Sequence, residues 1–245
     1  MAGERSCSAW HGIIARMVNI VWLGHGSFQL EVAGETILID PWVEGNPKYP
    51  SGHEITRCDT ILVTHGHGDH TQAVAELCKK FSPRVVANHE IATWFESKGV
   101  ANCVGMNKGG TVQAGSIRAT MTEAQHSSSI DTEGGTVVYA GEPAGFVLHF
   151  DDGRRAYFSG DTNVFSDMAL IHELYEPELA FLSIGDWYTM GPREAAVACR
   201  LLKVKTVIPM HWGTFPILTG TPAELQTLSP SVKVQELTPG VAFAW

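Results

Sequence analysis

The sequence lacks the features that identify membrane-embedded and secreted proteins. It has no apolar run approaching the ~18–20 residues that a membrane-spanning helix requires. Glu4 and Arg16 interrupt the N-terminal region, where a secretory signal has a basic stretch followed by an apolar one. The five cysteines are scattered, odd in number and include no C-x-x-C pair, which argues against a disulfide framework and a thiolate metal site. These absences predict a reduced, cytoplasmic protein.

Clusters of basic residues are also missing, although the chain contains 17 lysine and arginine residues. The formal net charge is −9 at pH 7. An acidic surface is poorly suited to phosphate backbones and anionic lipid headgroups. We therefore expect a small-molecule substrate as the partner, rather than nucleic acid or a membrane. A homo-oligomer is compatible with the sequence.

Linkers, repeats and low-complexity segments are absent, so nothing divides the chain into separate domains. The 245 residues are 44% hydrophobic, which is enough for one large core. We predict a single domain over residues 18–245. Residues 1–17 are interpreted as an N-terminal extension. It is either a flexible, disordered segment or an artefact of start-site choice, in which case Met17 begins the native chain.

Hydrophobic periodicity predicts a mixed α/β fold. Strands are expected near residues 18–23, 28–32, 36–39, 60–64, 84–87, 111–113, 117–123, 144–150, 156–159, 179–184, 206–210 and 232–237. Helices are expected over residues 71–80, 89–98, 166–174 and 193–202, and from residue 222. Early hairpins with strand–helix units interleaved throughout predict a four-layer αββα sandwich of two mixed β-sheets flanked by helices.

The segment with the greatest chemical potential is Thr64-His65-Gly66-His67-Gly68-Asp69-His70. Four candidate metal ligands fall within six residues of it. A predicted strand ends immediately before the segment and a predicted helix begins immediately after it. The ligands therefore lie on a strand-to-helix turn, where α/β folds commonly place their chemistry.

Three further ligand candidates, His126, Asp161 and His211, also follow predicted strands. Ends of several strands can meet along one edge of a sheet sandwich. Together with the motif they supply five imidazoles and two carboxylates and no thiolate, a set that suits Zn²⁺, Mn²⁺ or Fe²⁺. Seven ligands exceed the four of a tetrahedral zinc ion and predict two metal ions with an open position between them.

These residues resemble the metallo-β-lactamase superfamily, in particular its family of uncharacterised metal-dependent hydrolases, and are similar to the ascorbate-6-phosphate lactonase branch. The resemblance covers roughly residues 18–240. Its further motifs, in family order, are Trp22-Leu23-Gly24-His25, Ile39-Asp40-Pro41, Lys108-Gly109-Gly110, His126-Ser127-Ser128-Ser129, Gly160-Asp161-Thr162, Thr189-Met190-Gly191-Pro192 and Pro209-Met210-His211. It implies the metallo-β-lactamase fold and a metal-dependent hydrolase.

The resemblance also implies how the seven ligands divide between two metal ions. They are His65, His67 and His126 for the first ion, Asp69, His70 and His211 for the second, and Asp161 as a bridge. Asp40 is implied to steady the ligand loop without touching a metal. The ions are expected to be Zn²⁺, with Mn²⁺, Fe²⁺ or Ni²⁺ as alternatives.

The ligand set itself indicates the chemistry. Coordination to zinc can lower the pKa of water from roughly 15.7 to about 7, so hydroxide is available at neutral pH to attack a carbonyl or phosphoryl centre. Asp69 can accept a hydrogen bond from that hydroxide. Two divalent ions, less the charges of Asp69, Asp161 and one hydroxide, leave about +1. We predict hydrolysis of an ester, lactone or phosphodiester bond in a small substrate that is anionic or becomes so in the transition state.

Four other residues are assigned to the site with an alternative open for each group. His25 is either a hydrogen-bonded turn residue or a catalytic residue that contacts substrate or donates a proton. Lys108 is either a solvated loop lysine or a cation for a substrate carboxylate or phosphate. Trp187 and Tyr188 either pack a loop or line the substrate pocket.

Three competing functions use the same scaffold. A phosphodiesterase or nuclease is the nearest, but the acidic chain has no basic arm for RNA. Diiron flavoproteins of this fold typically carry glutamate at the position of His67 and an added flavodoxin domain, for which this chain has no room. A non-catalytic metal-binding regulatory protein is the third alternative, and the complete ligand set argues against it.

Overall fold

The computed structural model describes residues 17–132 and 134–245. Its strands are β1 (Asn19–Trp22), β2 (Phe28–Val32), β3 (Glu35–Ile39), β4 (Thr60–Leu62), β5 (Arg84–Asn88), β6 (Cys103–Met106), β7 (Thr111–Ala114), β8 (Ile117–Glu123), β9 (Ser129–Asp131), β10 (Val137–Tyr139), β11 (Ala144–His149), β12 (Arg155–Phe158), β13 (Leu179–Ser183), β14 (Thr206–Met210), β15 (Lys233–Val234) and β16 (Ala242–Ala244). Its helices are α1 (Gly68–Thr71), α2 (Val74–Phe81), α3 (His89–Ser97), α4 (Met168–Tyr175), α5 (Pro192–Leu202) and α6 (Pro222–Leu228). The predicted N-terminal extension, apart from Met17, lies outside the described residues. None of these helices is both long enough and apolar enough to cross a membrane.

Two seven-stranded sheets form the centre of the fold. The first has the order β16-β1-β2-β3-β4-β5-β6 and the second β15-β14-β13-β12-β11-β8-β7, while β9 and β10 pair as a separate hairpin. In the first sheet β1, β2 and β3 are antiparallel, whereas β3 to β6 are parallel. In the second sheet β12 to β15 are parallel and the strands from β7 to β12 are antiparallel. The prediction of two mixed sheets is confirmed.

Side chains of the central strands alternate between two apolar layers. In β1, Ile20 and Trp22 join the cluster between the sheets, whereas Val21 packs with the residues of α2 and α3. In β13, Phe181 belongs to the central cluster and Leu182 to the cluster beneath α4 and α5. Because both faces of these strands are buried, their sequences read as nearly continuous apolar runs. The layers follow the predicted αββα order.

The register brings strand ends of the two sheets to a common edge. In the first sheet Ile39 of β3 pairs with Leu62 of the parallel strand β4. In the second, Phe181 of β13 pairs with Phe158 of β12 and with Ile208 of β14, again in parallel. Parallel neighbours end on the same side, so the loops after β3 and β4 and those after β12, β13 and β14 can meet.

The helix expected over residues 71–80 is wrong at its beginning, because the structure has two helices there. Helix α1 ends before Gln72, and α2 begins after Ala73. Ala73 N donates to Pro41 O (3.1 Å), and the Gln72 side chain accepts from Val43 N and Glu44 N (3.1 and 3.0 Å). These tertiary hydrogen bonds hold the loop after β3 and break a helix that local periodicity alone would continue.

Several short strands have no counterpart in the predictions. They are β6, β9, β10 and β16, and β15 spans only Lys233–Val234 instead of residues 232–237. The Val137-Val138-Tyr139 sequence of β10 has no polar residue between the others, so the apolar–polar alternation that identifies a half-buried strand is missing there. Helix α3 follows its prediction closely, with the Asn88 side chain accepting from Ile91 N at 2.8 Å as an N-cap.

Candidate metal centre

All seven predicted metal ligands converge at the common edge of the two sheets. The first sheet contributes the motif residues between β4 and α1, and the second contributes the residues that follow β8, β12 and β14. Donor atoms of six of them, together with those of His25 and Asp40, fall into three overlapping groups, each lying within 4.8 Å: His25, Asp69, His70 and His211; His65, His67 and His126; and Asp40, His65 and His70. The structure therefore assembles the predicted ligands and places His25 and Asp40 among them.

The motif turn approaches the β9–β10 hairpin very closely. A Cβ at Gly66 would lie 2.6 Å from Ala140 Cβ and 2.8 Å from Ser129 O. Gly66 N also donates to Ser128 Oγ at 3.1 Å. Gly68, in contrast, has no atom within 4 Å of its Cβ position. Only the first glycine of the motif is thus required by packing.

Asp40 is fully buried and organises the residues around the motif. Its carboxylate accepts hydrogen bonds from Thr64 N (2.8 Å), Thr64 Oγ1 (2.6 Å) and His70 Nδ1 (2.8 Å). Burial raises the pKa of Asp40 above its ordinary value, although the His70 and Thr64 contacts oppose the shift. Asp40 has a left-handed backbone with φ +49°. By fixing Nδ1 of His70, the carboxylate directs Nε2 of the same ring into the cluster, which is the usual way a buried carboxylate orients a ligand histidine.

Asp161 lies at the centre of the imidazoles. Its Oδ2 is 3.0 Å from His211 Nε2, 3.4 Å from His70 Nε2 and 3.8 Å from His126 Nε2. Burial would raise the pKa of Asp161, but the charges of His211 and His70 hold it well below its usual range. For His70 the effects have the opposite sign. Burial would lower the pKa of its imidazole, but the surrounding carboxylates raise that pKa well above its usual range. Buried negative charge is thus concentrated at this point.

Three histidines, His65, His67 and His126, form a second part of the cluster. His65 Nε2 and His67 Nδ1 are 3.0 Å apart, and the His126 ring lies 5.1 Å from each of the two rings, centroid to centroid. Burial lowers the pKa of all three imidazoles. Neutral imidazoles have a free nitrogen lone pair, which metal coordination requires.

His25 joins the cluster to a loop distant in sequence. Its Nε2 is 3.0 Å from Asp69 Oδ2, and its Nδ1 is 2.9 Å from Thr214 Oγ1. Burial and the neighbouring charge of His211 lower the pKa of His25 to about 4, although Asp69 opposes the shift. A neutral ring between a hydroxyl and a carboxylate has its tautomer and orientation fixed, so His25 in turn fixes the Asp69 carboxylate.

Thr214→Val should weaken metal binding because the variant keeps the side-chain shape but removes the hydroxyl that orients His25. We expect the metal affinity to fall by about 10-fold, the lower end of the range for removing an orienting partner. Competition with a chromogenic chelator would measure it. The matched control is Thr214→Ser, which retains the hydroxyl and should bind metal as the wild type does. Equal affinities for Thr214→Val and wild type would show that the hydroxyl does not orient the site.

The donor atoms fit divalent metal ions by two further criteria. Asp161 Oδ1 and His70 Nε2 are buried and have no hydrogen-bond partner among the described residues. Tetrahedral zinc with ligand bonds of roughly 2.0–2.1 Å places neighbouring donors about 3.3 Å apart. The distances between facing donors in the cluster range from 3.0 to 3.8 Å. Nitrogen and oxygen donors of this kind suit zinc, manganese and iron.

A cleft of about 300 Å³ gives solvent access to the cluster. It is lined by His25, His67, Asp69, His126, Ser127, Asp161, Tyr188, His211 and Phe215. Of the predicted substrate-binding residues, Tyr188 lines the cleft and Trp187 is its exposed neighbour in sequence. Lys108 is not among the lining residues, and its Nζ pairs with Glu123 Oε1 at 2.5 Å. Sequence reasoning missed Thr214 and Phe215, for which closeness to His211 in the chain was the only signal.

The sequence profile described as the Beta-lactamase superfamily domain matches residues 35–212 of the chain. Two similar proteins are each described as a UPF0173 metal-dependent hydrolase. The chain is 54% identical over 231 residues to a UPF0173 metal-dependent hydrolase of Solibacter usitatus (strain Ellin6076), covering 93% of this chain and 100% of that protein. It is 50% identical over 229 residues to a UPF0173 metal-dependent hydrolase of Koribacter versatilis (strain Ellin345), covering 93% and 98%.

A solved structure extends the similarity to three dimensions. Igni18, described as a novel metallo hydrolase from the hyperthermophilic archaeon Ignicoccus hospitalis, superposes with a TM-score of 0.82 at 32% sequence identity. The alignment covers 94% of this chain and 98% of Igni18. The similarity therefore spans nearly the whole length of both molecules.

Proposed function

The chain belongs to the UPF0173 family of metal-dependent hydrolases, with the metallo-β-lactamase fold, and on this basis we propose that it uses two divalent metal ions to hydrolyse an ester, lactone or phosphodiester bond. The substrate is a small molecule that is anionic or becomes so during the reaction. The single observation that carries the proposal is the position of Asp161, whose Oδ2 faces imidazoles of both ligand groups within 3.8 Å. One carboxylate so placed can serve two ions at once.

The proposed division of ligands is the one that the family resemblance implies, and the closeness of His65, His67 and His126 to one another supports it. The first ion takes His65, His67 and His126, the second takes Asp69, His70 and His211, and Asp161 joins both. Zn²⁺ is the favoured metal, with Mn²⁺, Fe²⁺ or Ni²⁺ as alternatives. When bound, the ions supply Lewis acidity and a water of lowered pKa, which can attack a carbonyl or phosphoryl centre.

The remaining roles belong to side chains that face the cleft. Asp69 is partly exposed, with its Oδ2 held by His25, so the carboxylate can accept a hydrogen bond from the attacking water and position it. His25 keeps that carboxylate in place and, with its pKa of about 4, is neutral at pH 7. Asp40, buried behind His70, holds the ligand ring without reaching the cleft.

Metal reconstitution combined with a substrate panel tests the proposal. The protein is stripped with a chelator, reloaded separately with Zn²⁺, Mn²⁺, Fe²⁺ or Ni²⁺, and analysed for metal by mass spectrometry. We expect two ions per chain and turnover of at least one class among lactones, phosphodiesters, thioesters and β-lactams. Turnover should disappear on chelation and return on reloading. A stoichiometry of one ion or fewer after reloading would overturn the dinuclear site.

A nuclease or phosphodiesterase acting on RNA receives less support from the structure. Among the described residues, no lysine or arginine lines the cleft. A polynucleotide carries phosphates beyond the scissile one, and these are normally held by basic side chains. Hydrolysis of RNA at a higher specific activity than small phosphodiesters would favour this alternative.

A further inference from the structure

Three aromatic side chains that line the cleft or directly precede a lining residue are exposed to solvent. Trp187 is 67% exposed, Tyr188 57% and Phe215 39%. Tyr188 and Phe215 line the cleft together with the candidate metal ligands, and Trp187 directly precedes Tyr188. We call these three residues the aromatic rim. Adjoining exposed apolar residues mark binding surfaces, whereas isolated ones are normal on any protein.

The turn after β13 that carries two of the rim residues is fixed to the ligand loops. A Cβ at Gly185 would lie 2.1 Å from His211 O, so the turn passes directly against a candidate ligand. At its other end, Met190 N donates to Thr162 O at 3.0 Å, beside Asp161. The position of the rim relative to the metal centre is therefore set by backbone contacts.

The same turn has an unfavourable backbone conformation. Asp186 and Trp187 have φ values of +68° and +60°, a left-handed conformation that a bulky residue rarely adopts. Trp187 N donates to Asp186 Oδ1 and Tyr188 N to Asp186 O, both at 2.7 Å. Trp187 keeps this strained backbone although its side chain is in solvent. Strain that the surrounding structure maintains without a packing role for the side chain indicates function.

Phe215 is part of the same surface. Leu218 N donates to Phe215 O (3.0 Å), and Gly220 N donates to Gly185 O (3.3 Å), so the loop after β14 is joined to the turn after β13. The Trp42 ring supports Phe215 with a centroid distance of 6.1 Å. The rim is thus a preformed apolar surface next to the ligands.

The cleft offers no cation for a charged group outside the metal centre. No lysine or arginine is among its lining residues in the described part of the chain. Lys108 is paired with Glu123, and Lys48 lies over the Trp212 ring at 4.9 Å. A phosphate or carboxylate remote from the scissile bond would lose hydration there without gaining a partner.

We propose that the part of the substrate remote from the scissile bond is an aryl or medium-length alkyl group that packs on the aromatic rim. This inference rests on the proposed hydrolase function and narrows its substrate to hydrophobic esters, lactones or phosphodiesters. Negative charge is then confined to the reacting carbonyl or phosphoryl centre, where the metal ions lie. Lactones that carry a phosphate group remote from the scissile bond are therefore disfavoured as substrates.

Paired short-chain and long-chain substrates test the inference on the metal-loaded protein. The pairs are γ-butyrolactone with γ-decalactone, and methyl with octyl p-nitrophenyl phosphate. Each methylene buried on the rim should raise kcat/KM by about fourfold, so even partial burial should favour the long member by at least about 10-fold. Trp187→Ala and Tyr188→Ala should reduce that ratio to below about 3. Tyr188→Phe should keep it, because the apolar ring remains.

A distant residue provides the matched control. Leu174 in α4 is 67% exposed, as is Trp187, and Leu174→Ala should leave the chain-length ratio unchanged. Equal kcat/KM for short and long substrates would overturn the inference while leaving the hydrolase intact. Loss of a homodimer in Trp187→Ala at an unchanged ratio would assign the rim to self-association and overturn it also.

If no substrate pair is turned over, the result counts against the proposed hydrolase function. Binding measurements then test the aromatic rim separately. Calorimetric dissociation constants of acetate and decanoate should differ by at least about 10-fold in the wild type and by less than about 3-fold in Trp187→Ala. Equal affinities for the two carboxylates in the wild type would overturn the apolar subsite independently of catalysis.

Discussion

Asp161→Asn should abolish metal-dependent turnover while the chain remains folded. Asparagine has the same shape, but its neutral side chain cannot bridge two cations or balance the charge of His211 and His70. We expect kcat to fall by at least about 10³-fold, as for other residues on which a catalytic unit depends. Bound metal should fall from two ions per chain to one or fewer. Hydrolysis assays and elemental analysis of the same preparation measure both effects.

His67→Ala should also abolish metal-dependent turnover. His67 is half-exposed at the cleft, so its removal should cost little folding stability while removing one ligand of the first ion. Asp151→Asn, which neutralises an exposed carboxylate outside the cleft, is the control and should leave turnover and metal content unchanged. Wild-type turnover by both Asp161→Asn and His67→Ala would refute the assignment of these ligands.

Asp40→Ala should be the most destabilising single substitution at the site. It removes the fully buried carboxylate that accepts hydrogen bonds from Thr64 N, Thr64 Oγ1 and His70 Nδ1. Breaking a buried charged pair from one side costs about 3–5 kcal/mol, and alanine at φ +49° adds backbone strain. Urea unfolding of the metal-free protein measures the loss directly.

Asp40→Asn separates the effect of the carboxylate charge on stability from the effects of the hydrogen bond to Thr64 N and of the backbone conformation. Asp40→Asn tolerates the left-handed backbone and can still accept a hydrogen bond from Thr64 N. It should therefore be more stable than Asp40→Ala but should bind metal less tightly than the wild type, because His70 loses its carboxylate partner. Wild-type stability of Asp40→Ala would mean that the carboxylate does not hold the motif in place.

The sequence predicted the strand ends well because burial on both faces leaves a strong apolar signal, and chemistry-bearing residues follow those strands. Asp40, His126, Asp161 and His211 each lie in short segments with a recognisable pattern, so they could be identified before their partners were known. Thr214 could not, because its role depends on His25, which lies 189 residues away in the chain. Interactions of that range have no local signature.

Other differences have the same physical origin. The break between α1 and α2 follows from hydrogen bonds of Gln72 and Ala73 to the loop after β3, and periodicity contains no information about them. Strands β9 and β10 have three residues each and pair with one another outside the two large sheets, so they are too short to leave a clear periodicity in the sequence. The aromatic rim was predicted only in part, since Phe215 reaches the cleft through the packing of two loops.

The position of the candidate ligands on both sheets has a consequence for how the chain holds together. His65, His67, Asp69 and His70 follow a strand of the first sheet, and His126, Asp161 and His211 follow strands of the second, so ions bound as proposed would cross-link the two sheets. An unfolded chain would have to close long loops to present the same ligands, which costs conformational entropy. Metal ions that bind only the assembled state add to the free energy of unfolding in proportion to the logarithm of their concentration. Metal supply would thus govern the lifetime of the protein against proteases as well as its catalytic rate.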